Sequence, residues 1–276
     1  DSTVTAAELY NLFLVSYNVI KAQDPAARII GPSLANFVPY AQASCEHGFN
    51  MTDFLDFASA HNLDLAAISW HYNGTDPLYL ADTVSSVRQM IAARPNLGHP
   101  LVFVNEYGGR DVQRDPGWDV GFLTALTDSG VASAVRSCWL DDCWQPDLDG
   151  LLTPDGTNTL PDYYVRSFYG AMTGNMVATA STSDGVTSIA SYDPGLPVIR
   201  VLLGRGVGYT DQARAYPGDP APAGPTQVTV TIRVPWSSGS VDVAETDIAG
   251  QDISAYSPGA ATHQTLPVTA GGAGTG

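Results

Sequence analysis

The segment Leu101–Gly109, LVFVNEYGG, constrains this chain more than any other. Four apolar residues run into Asn105, Glu106 and Tyr107, and two glycines follow. Burying an unpaired carboxylate costs several kcal/mol, so a Glu at the end of an apolar strand needs a reason. The chain has four Glu (Glu8, Glu46, Glu106, Glu245) against 24 Asp, which makes Glu106 nearly alone as a long-armed carboxylate in such a place. In parallel α/β folds, polar groups that do chemistry sit at the C-terminal ends of strands.

The segments around it follow the same plan. Thr5–Gln23 carries Leu9, Leu12, Phe13, Tyr17 and Ile20 at helical spacing and stops at Asp24-Pro25. Arg28–Pro32 reads as a short buried strand. Met51–His61 reads as a helix with Thr52 as its cap, and Leu65–Trp70 as a strand running into His71-Tyr72. Leu80–Ala93 is a helix, Leu101–Val104 a strand, Gly117–Ser129 a helix, Ala132–Leu140 a strand and Tyr163–Met172 a last helix. Strands and helices alternating at this spacing make parallel βα units. About four units are present, too few to close an eight-stranded barrel.

After Gly174 the helical period disappears. Met176–Ser181, Val186–Ser191, Val198–Leu203, Gln227–Val234 and Ser240–Thr246 alternate or are rich in β-branched residues, with turn residues between them. The expected organisation is a βα region over 1–174, an antiparallel β-sandwich domain over 175–268 and a flexible tail over 269–276.

Composition narrows the function. One Lys and eleven Arg give a net charge of −16, which argues against nucleic acid or an anionic membrane as partner. No run of 18 apolar residues predicts a membrane span. Cys45, Cys138 and Cys143 do not form a zinc pattern, and no metal or cofactor is called for. Cys143 has two candidate partners, Cys138 and Cys45, so one thiol stays odd. With the sequons at Asn50 and Asn73 they lean toward a secreted, extracellular protein. The aspartates 141, 142, 147 and 149 resemble a calcium-friendly acidic loop, and a solvated loop is the preferred reading.

Three consecutive strands end in polar or aromatic groups: His71-Tyr72, Asn105-Glu106-Tyr107, and Trp139 with Asp141-Asp142. In a parallel barrel all three would face one mouth. A carboxylate beside aromatic rings and a histidine suits a sugar site, because Glu can attack an anomeric carbon and an indole stacks on a pyranose face. Here the chain resembles the clan A (β/α)8 retaining glycoside hydrolases, most of all family 39, with family 79 as a neighbour. The likeness lies in DPAARIIGPSLA, FLDFASAHNLDLAAISWHYNG, LVFVNEYGG, SCWLDDC and LDGLLTPDGTNTLPDYY, in that order. It covers roughly 1–174 and implies strands 5 to 8 of a (β/α)8 TIM barrel, with a carbohydrate as substrate.

By that resemblance Glu106 corresponds to the nucleophile. His71 and Tyr72 would bind substrate or orient Glu106, Asn105 and Tyr107 would line the site, and Trp139 would floor the innermost subsite. An Asn-Glu pair is more typical of the clan's acid/base strand, but one further strand–helix pair after Glu106 fits strand 7. The acid/base Glu would then lie upstream of residue 1, and the chain would be an inactive fragment of a glycosidase. Structural readings stand beside these: Glu106 paired with Arg110 or Arg136, His71 as a core histidine, Trp139 and Tyr72 as packing groups. Trp70 precedes the polar strand end and reads as core. The competing functions are a non-catalytic carbohydrate-binding protein and a structural surface protein on a decayed barrel.

Overall fold

The computed structural model describes residues 4–40, 48–109, 112, 114–137, 148, 150–183, 185–206, 227–236, 238–250 and 256–268. The chain divides into two compact units, Asp1–Gln113 with Gly121–Cys143, and Arg114–Val120 with Trp144–Gly276. The dividing line runs through one helix, Pro116–Asp128 (α4). Among the described residues no helix is long and apolar enough to cross a membrane.

The first unit is built from βα repeats. In chain order it holds α1 (Ala6–Gln23), β1 (Ile29–Leu34), α2 (Met51–Ala60), β2 (Leu65–Tyr72), α3 (Pro77–Ala92), β3 (Leu101–Tyr107), the larger part of α4, and β4 (Ser133–Arg136). The four strands form one parallel sheet in the order β1-β2-β3-β4. Each helix start has a local cause. Thr5 and Glu8 close a capping box on α1, and Asp76 accepts from Leu78 N ahead of Pro77 on α3. The cap of α2 is Asn50, whose side chain accepts from Asp53 N at 3.0 Å. Thr52, the expected cap, instead donates to the Pro39 carbonyl at 2.5 Å. Asn50 is fully buried, so the first sequon is closed to glycan attachment in the folded chain.

Packing in this unit is heavier on one face of the sheet than on the other. Val102 and Val104 of β3 and Ile68 and Trp70 of β2 are buried, as are Phe54, Leu55 and Ala58 of α2 and Leu80, Val84 and Val87 of α3. Alternate strand positions point the other way; there Ala67 and Ser69 of β2 are buried, while Ile30, Leu101 and Val135 are exposed. Parallel sheets are ordinarily covered on both faces. The helix α1 repeats the pattern. Tyr10 packs on Phe49, Phe54 and Phe57, and Phe13 meets Phe54 edge-on with 5.0 Å between ring centres. Tyr17 takes the Asp64 N–H at 2.9 Å. A second apolar stripe on the same helix, Leu12, Val15 and Val19, stays in solvent.

The second unit is mainly antiparallel. It contains α5 (Pro161–Gly170), a three-stranded sheet β5-β6-β7 (Asn175–Val177, Val186–Asp193, Val198–Arg205) and a pair β8-β9 (Ser240–Glu245, Thr262–Pro267). Gly204 lets β7 close onto the first turn of α4, where an added Cβ would meet Val120 Cβ at 2.5 Å. The buried Asp119 pairs with Arg166 of α5. Two readings of the sequence change here. Residues 227–236 form no strand, although they alternate, and β9 forms from THQTLP, which carries no apolar alternation.

Candidate active site

Parallel pairing brings the C-terminal ends of β1, β2 and β3 side by side, and two irregularities shape them. Trp70 pairs with Val104 and His71 with Glu106, so β3 carries one extra residue, Asn105. Pro32 pairs with Ser69 and Leu34 with Trp70, so β1 also carries one extra residue, Ser33. These are β-bulges, which re-aim side chains near sheet ends. In a regular strand Asn105 and Glu106 would point to opposite faces; the bulge turns both into one network.

That network has four members. His71 Nδ1 lies 3.2 Å from Glu106 Oε2. His71 Nε2 lies 3.3 Å from Ser33 Oγ. Asn105 Nδ2 donates to Ser33 Oγ at 2.7 Å. The side chain of His71 is 24% exposed and that of Glu106 41%, so the carboxylate is held on one side and open on the other. A carboxylate held in this way can accept protons, attack a carbon centre or bind hydroxyl groups.

The strand ends are fixed by the glycine pair that follows. Gly108 has φ 89°, a conformation that glycine adopts without strain. Gly108 N donates to Tyr72 O at 3.1 Å and Gly109 N to Gly74 O at 2.8 Å. An added Cβ on Gly109 would sit 2.9 Å from the Asn73 carbonyl oxygen. Directly after β4, the Ser137 hydroxyl donates to the carbonyls of Tyr107 and Gly108. The Asn73 amide donates to Ala35 O at 3.3 Å and ties the loop after β2 to the loop after β1.

Of the residues singled out in the sequence, the structure brings His71, Asn105 and Glu106 together. It places Tyr72 and Tyr107 on the other face. Tyr72 is buried, its hydroxyl donates to Asp76 O at 2.6 Å, and its ring lies 6.0 Å from Tyr79 and 6.3 Å from Phe122. Burial lifts its phenol well above the ordinary tyrosine range. Tyr107 is buried 5.5 Å from Phe122. Side chains alternate along a strand, so the neighbour of His71 faces the helices. Trp70 is fully buried. Trp139, Arg110, Glu46, the three cysteines and the aspartates 141, 142, 147 and 149 lie outside the described residues. Ser33 is the residue that sequence reading missed. The one available signal was its place after Gly31-Pro32, a turn-like dipeptide that says nothing about a partner 38 or 72 residues away.

No protein-family model and no curated protein matches the chain. Solved structures do. N2152 from Neocallimastix frontalis matches with a TM-score of 0.68 at 19% identity, over 95% of this chain and 60% of its own. A glucosidase from Croceicoccus marinus matches with 0.61 at 16% identity, over 96% and 62%. CelM2, a bifunctional glucanase-xylanase from a metagenome library, matches with 0.53 at 14% identity, over 96% and 58%. The chain therefore spans about three fifths of the length of the structures it matches. At these identities the likeness shows the fold alone: a mixed α/β architecture with a parallel four-stranded sheet and antiparallel sheets.

Proposed function

We propose that this chain is the C-terminal part of a retaining glycoside hydrolase, with Glu106 as its nucleophile. The observation that carries the reading is the Glu106–His71 pair, 3.2 Å apart at the C-terminal ends of two parallel strands. The names of two neighbours, a glucosidase and a glucanase-xylanase, support the substrate class. Within clan A, family 39 is the reading that the sequence motifs favour.

In the first step the Glu106 carboxylate attacks the anomeric carbon. A carbon–oxygen ester bond forms, and the glycosidic bond breaks as its oxygen takes a proton from a second carboxyl group. In the second step that group removes a proton from water, which displaces Glu106 and releases the sugar. Retaining enzymes hold the two carboxyl groups about 5 Å apart. The other described glutamates serve elsewhere: Glu8 sits in the capping box of α1 and Glu245 on β8. The acid/base group in this reading comes from outside residues 1–276, together with the strands that complete the barrel. The exposed apolar residues Ile30, Leu101 and Val135 on the sheet and the bare stripe on α1 support that. A helix apolar on two faces is normally buried on both. Such an enzyme would act outside the cell, where polysaccharides are.

The test uses the longer protein that carries this chain. Proton NMR of the first-formed sugar should show the anomer of the substrate. Glu106→Gln should abolish turnover while leaving the fold intact. An inverted product would make Glu106 a base acting through water, and activity within tenfold of wild type in Glu106→Gln would remove it from the mechanism. Efficient hydrolysis by residues 1–276 alone would mean that the second carboxylate is in this chain.

A further inference from the structure

We infer that Ser33 is a positioning residue: with Asn105 it holds the proton of the neutral His71 ring on Nδ1, so that the ring donates to Glu106. As a role in catalysis this rests on the glycosidase reading; as a statement about the ring it stands on geometry alone.

The polarity follows from counting hydrogens. The Asn105 amide nitrogen has only donors, so Ser33 Oγ accepts from it at 2.7 Å. Ser33 Oγ keeps one hydrogen and one lone pair, and 3.3 Å away stands His71 Nε2. In a neutral ring whose one proton faces the Glu106 carboxylate, Nε2 can only accept, so the Ser33 hydrogen goes to it. A ring nitrogen that accepts leaves the proton on the other nitrogen. That nitrogen, Nδ1, faces Glu106 Oε2 at 3.2 Å, and an ionised carboxylate only accepts. Donors and acceptors alternate from Asn105 through Ser33 and His71 to Glu106 with no conflict. A second observation points the same way. Ser33 has φ 60°, a left-handed conformation that suits glycine and is unfavourable for a serine. It is also the extra residue of the β1 bulge, as Asn105 is of the β3 bulge. Two bulges and a strained serine meet at one hydrogen bond, where the backbone by itself would favour glycine.

The experiment is 15N NMR of the protein labelled at its histidines, at pH 8.5, above the ordinary histidine range. The His71 signals are identified by their loss in His71→Gln. Wild type should show a protonated Nδ1 and an unprotonated, hydrogen-bonded Nε2. The variant Glu106→Gln removes the carboxylate's own demand for a donor, and the ring should stay protonated on Nδ1 because Ser33 still donates to Nε2. Adding Ser33→Gly, which suits the backbone and so keeps the fold, should give a mixture of the two tautomers. Asn105→Asp accepts where Asn105 donated, so it turns the Ser33 hydroxyl round and should put a proton on Nε2. A ring protonated on Nε2 in wild type or Glu106→Gln, or one unmoved by Ser33→Gly in the Glu106→Gln background, would overturn the inference. In kinetics, Ser33→Gly alone should lower kcat about tenfold with KM nearly unchanged, since it loosens the group that aims the nucleophile. If wild type hydrolyses no glycoside, the functional reading fails while the NMR result still decides the state of the ring.

Discussion

Gly109→Ala perturbs the site at the point where two strand ends touch. A Cβ there would lie 2.9 Å from Asn73 O, 3.1 Å from Thr75 Cγ2 and 3.3 Å from Gly74 C. Two of these are backbone atoms, so relief needs the loop after β2 and the end of β3 to part by about 0.5 Å, to ordinary contact. Overpacking of this size costs about 1–3 kcal/mol. The same movement works on the site, because His71 lies two residues before Asn73 and Glu106 three before Gly109. A His71–Glu106 contact of 3.2 Å, lengthened by about half an ångström, is no longer a hydrogen bond. A misplacement approaching 1 Å costs about 10²-fold in rate, so a loss of about 10- to 100-fold is expected. Gly98→Ala is the control. Gly98 has φ 66° with nothing within 4 Å of its added Cβ, so it costs about 1–3 kcal/mol in backbone strain alone, at the other end of β3. Urea melting and turnover measured together separate the two. Both variants should lose stability, and only Gly109→Ala should lose rate. Gly109→Ala with full activity, or Gly98→Ala with an equal loss of rate, would refute the coupling.

Asn50→Ala should lower stability by about 1–2 kcal/mol in denaturant titration, because it removes the cap of α2 and leaves Asp53 N without its acceptor. Arg166→Met leaves the buried Asp119 without its partner and should cost about 3–5 kcal/mol; a change under about 1 kcal/mol would mean that the pair is not the anchor of α5. The raised Tyr72 phenol gives a base-side limit. The folded state keeps a proton that the unfolded state releases, so stability is full below pH of about 10, the ordinary tyrosine value, and falls as pH rises above it. Residues 1–276 alone should self-associate through the bare α1 stripe and the exposed apolar residues of the sheet, and a monomer by sedimentation would contradict the account of those surfaces.

The parallel sheet was legible because each helix and strand carries its own period. The cap of α2 was misread by two residues: Asn50 and Thr52 are both good caps, and only burial and backbone angle separate them. Glu106 and His71 were legible as polar groups at apolar strand ends. Tyr72 and Tyr107 were not, since adjacency in sequence puts neighbours on opposite faces of a strand. Ser33 was hidden because two bulges aim it, and a bulge leaves no period to read. The alternation over 227–234 says only that a strand would fit there. A ladder also needs a partner, and β8 found its partner in a polar segment, Thr262–Pro267.

The central claim is that Glu106 becomes covalently attached to the sugar. The probe is a glycoside fluorinated at C2 with a good leaving group. Fluorine at C2 slows both steps by destabilising the positive charge at the anomeric centre, and the good leaving group restores the first, so the glycosyl-enzyme accumulates. Peptide mass spectrometry of the inactivated full-length enzyme should find one sugar on the peptide that contains Asn105-Glu106-Tyr107, and none in Glu106→Gln. A sugar carried by any other carboxylate, in an enzyme active on the parent glycoside, would contradict the account.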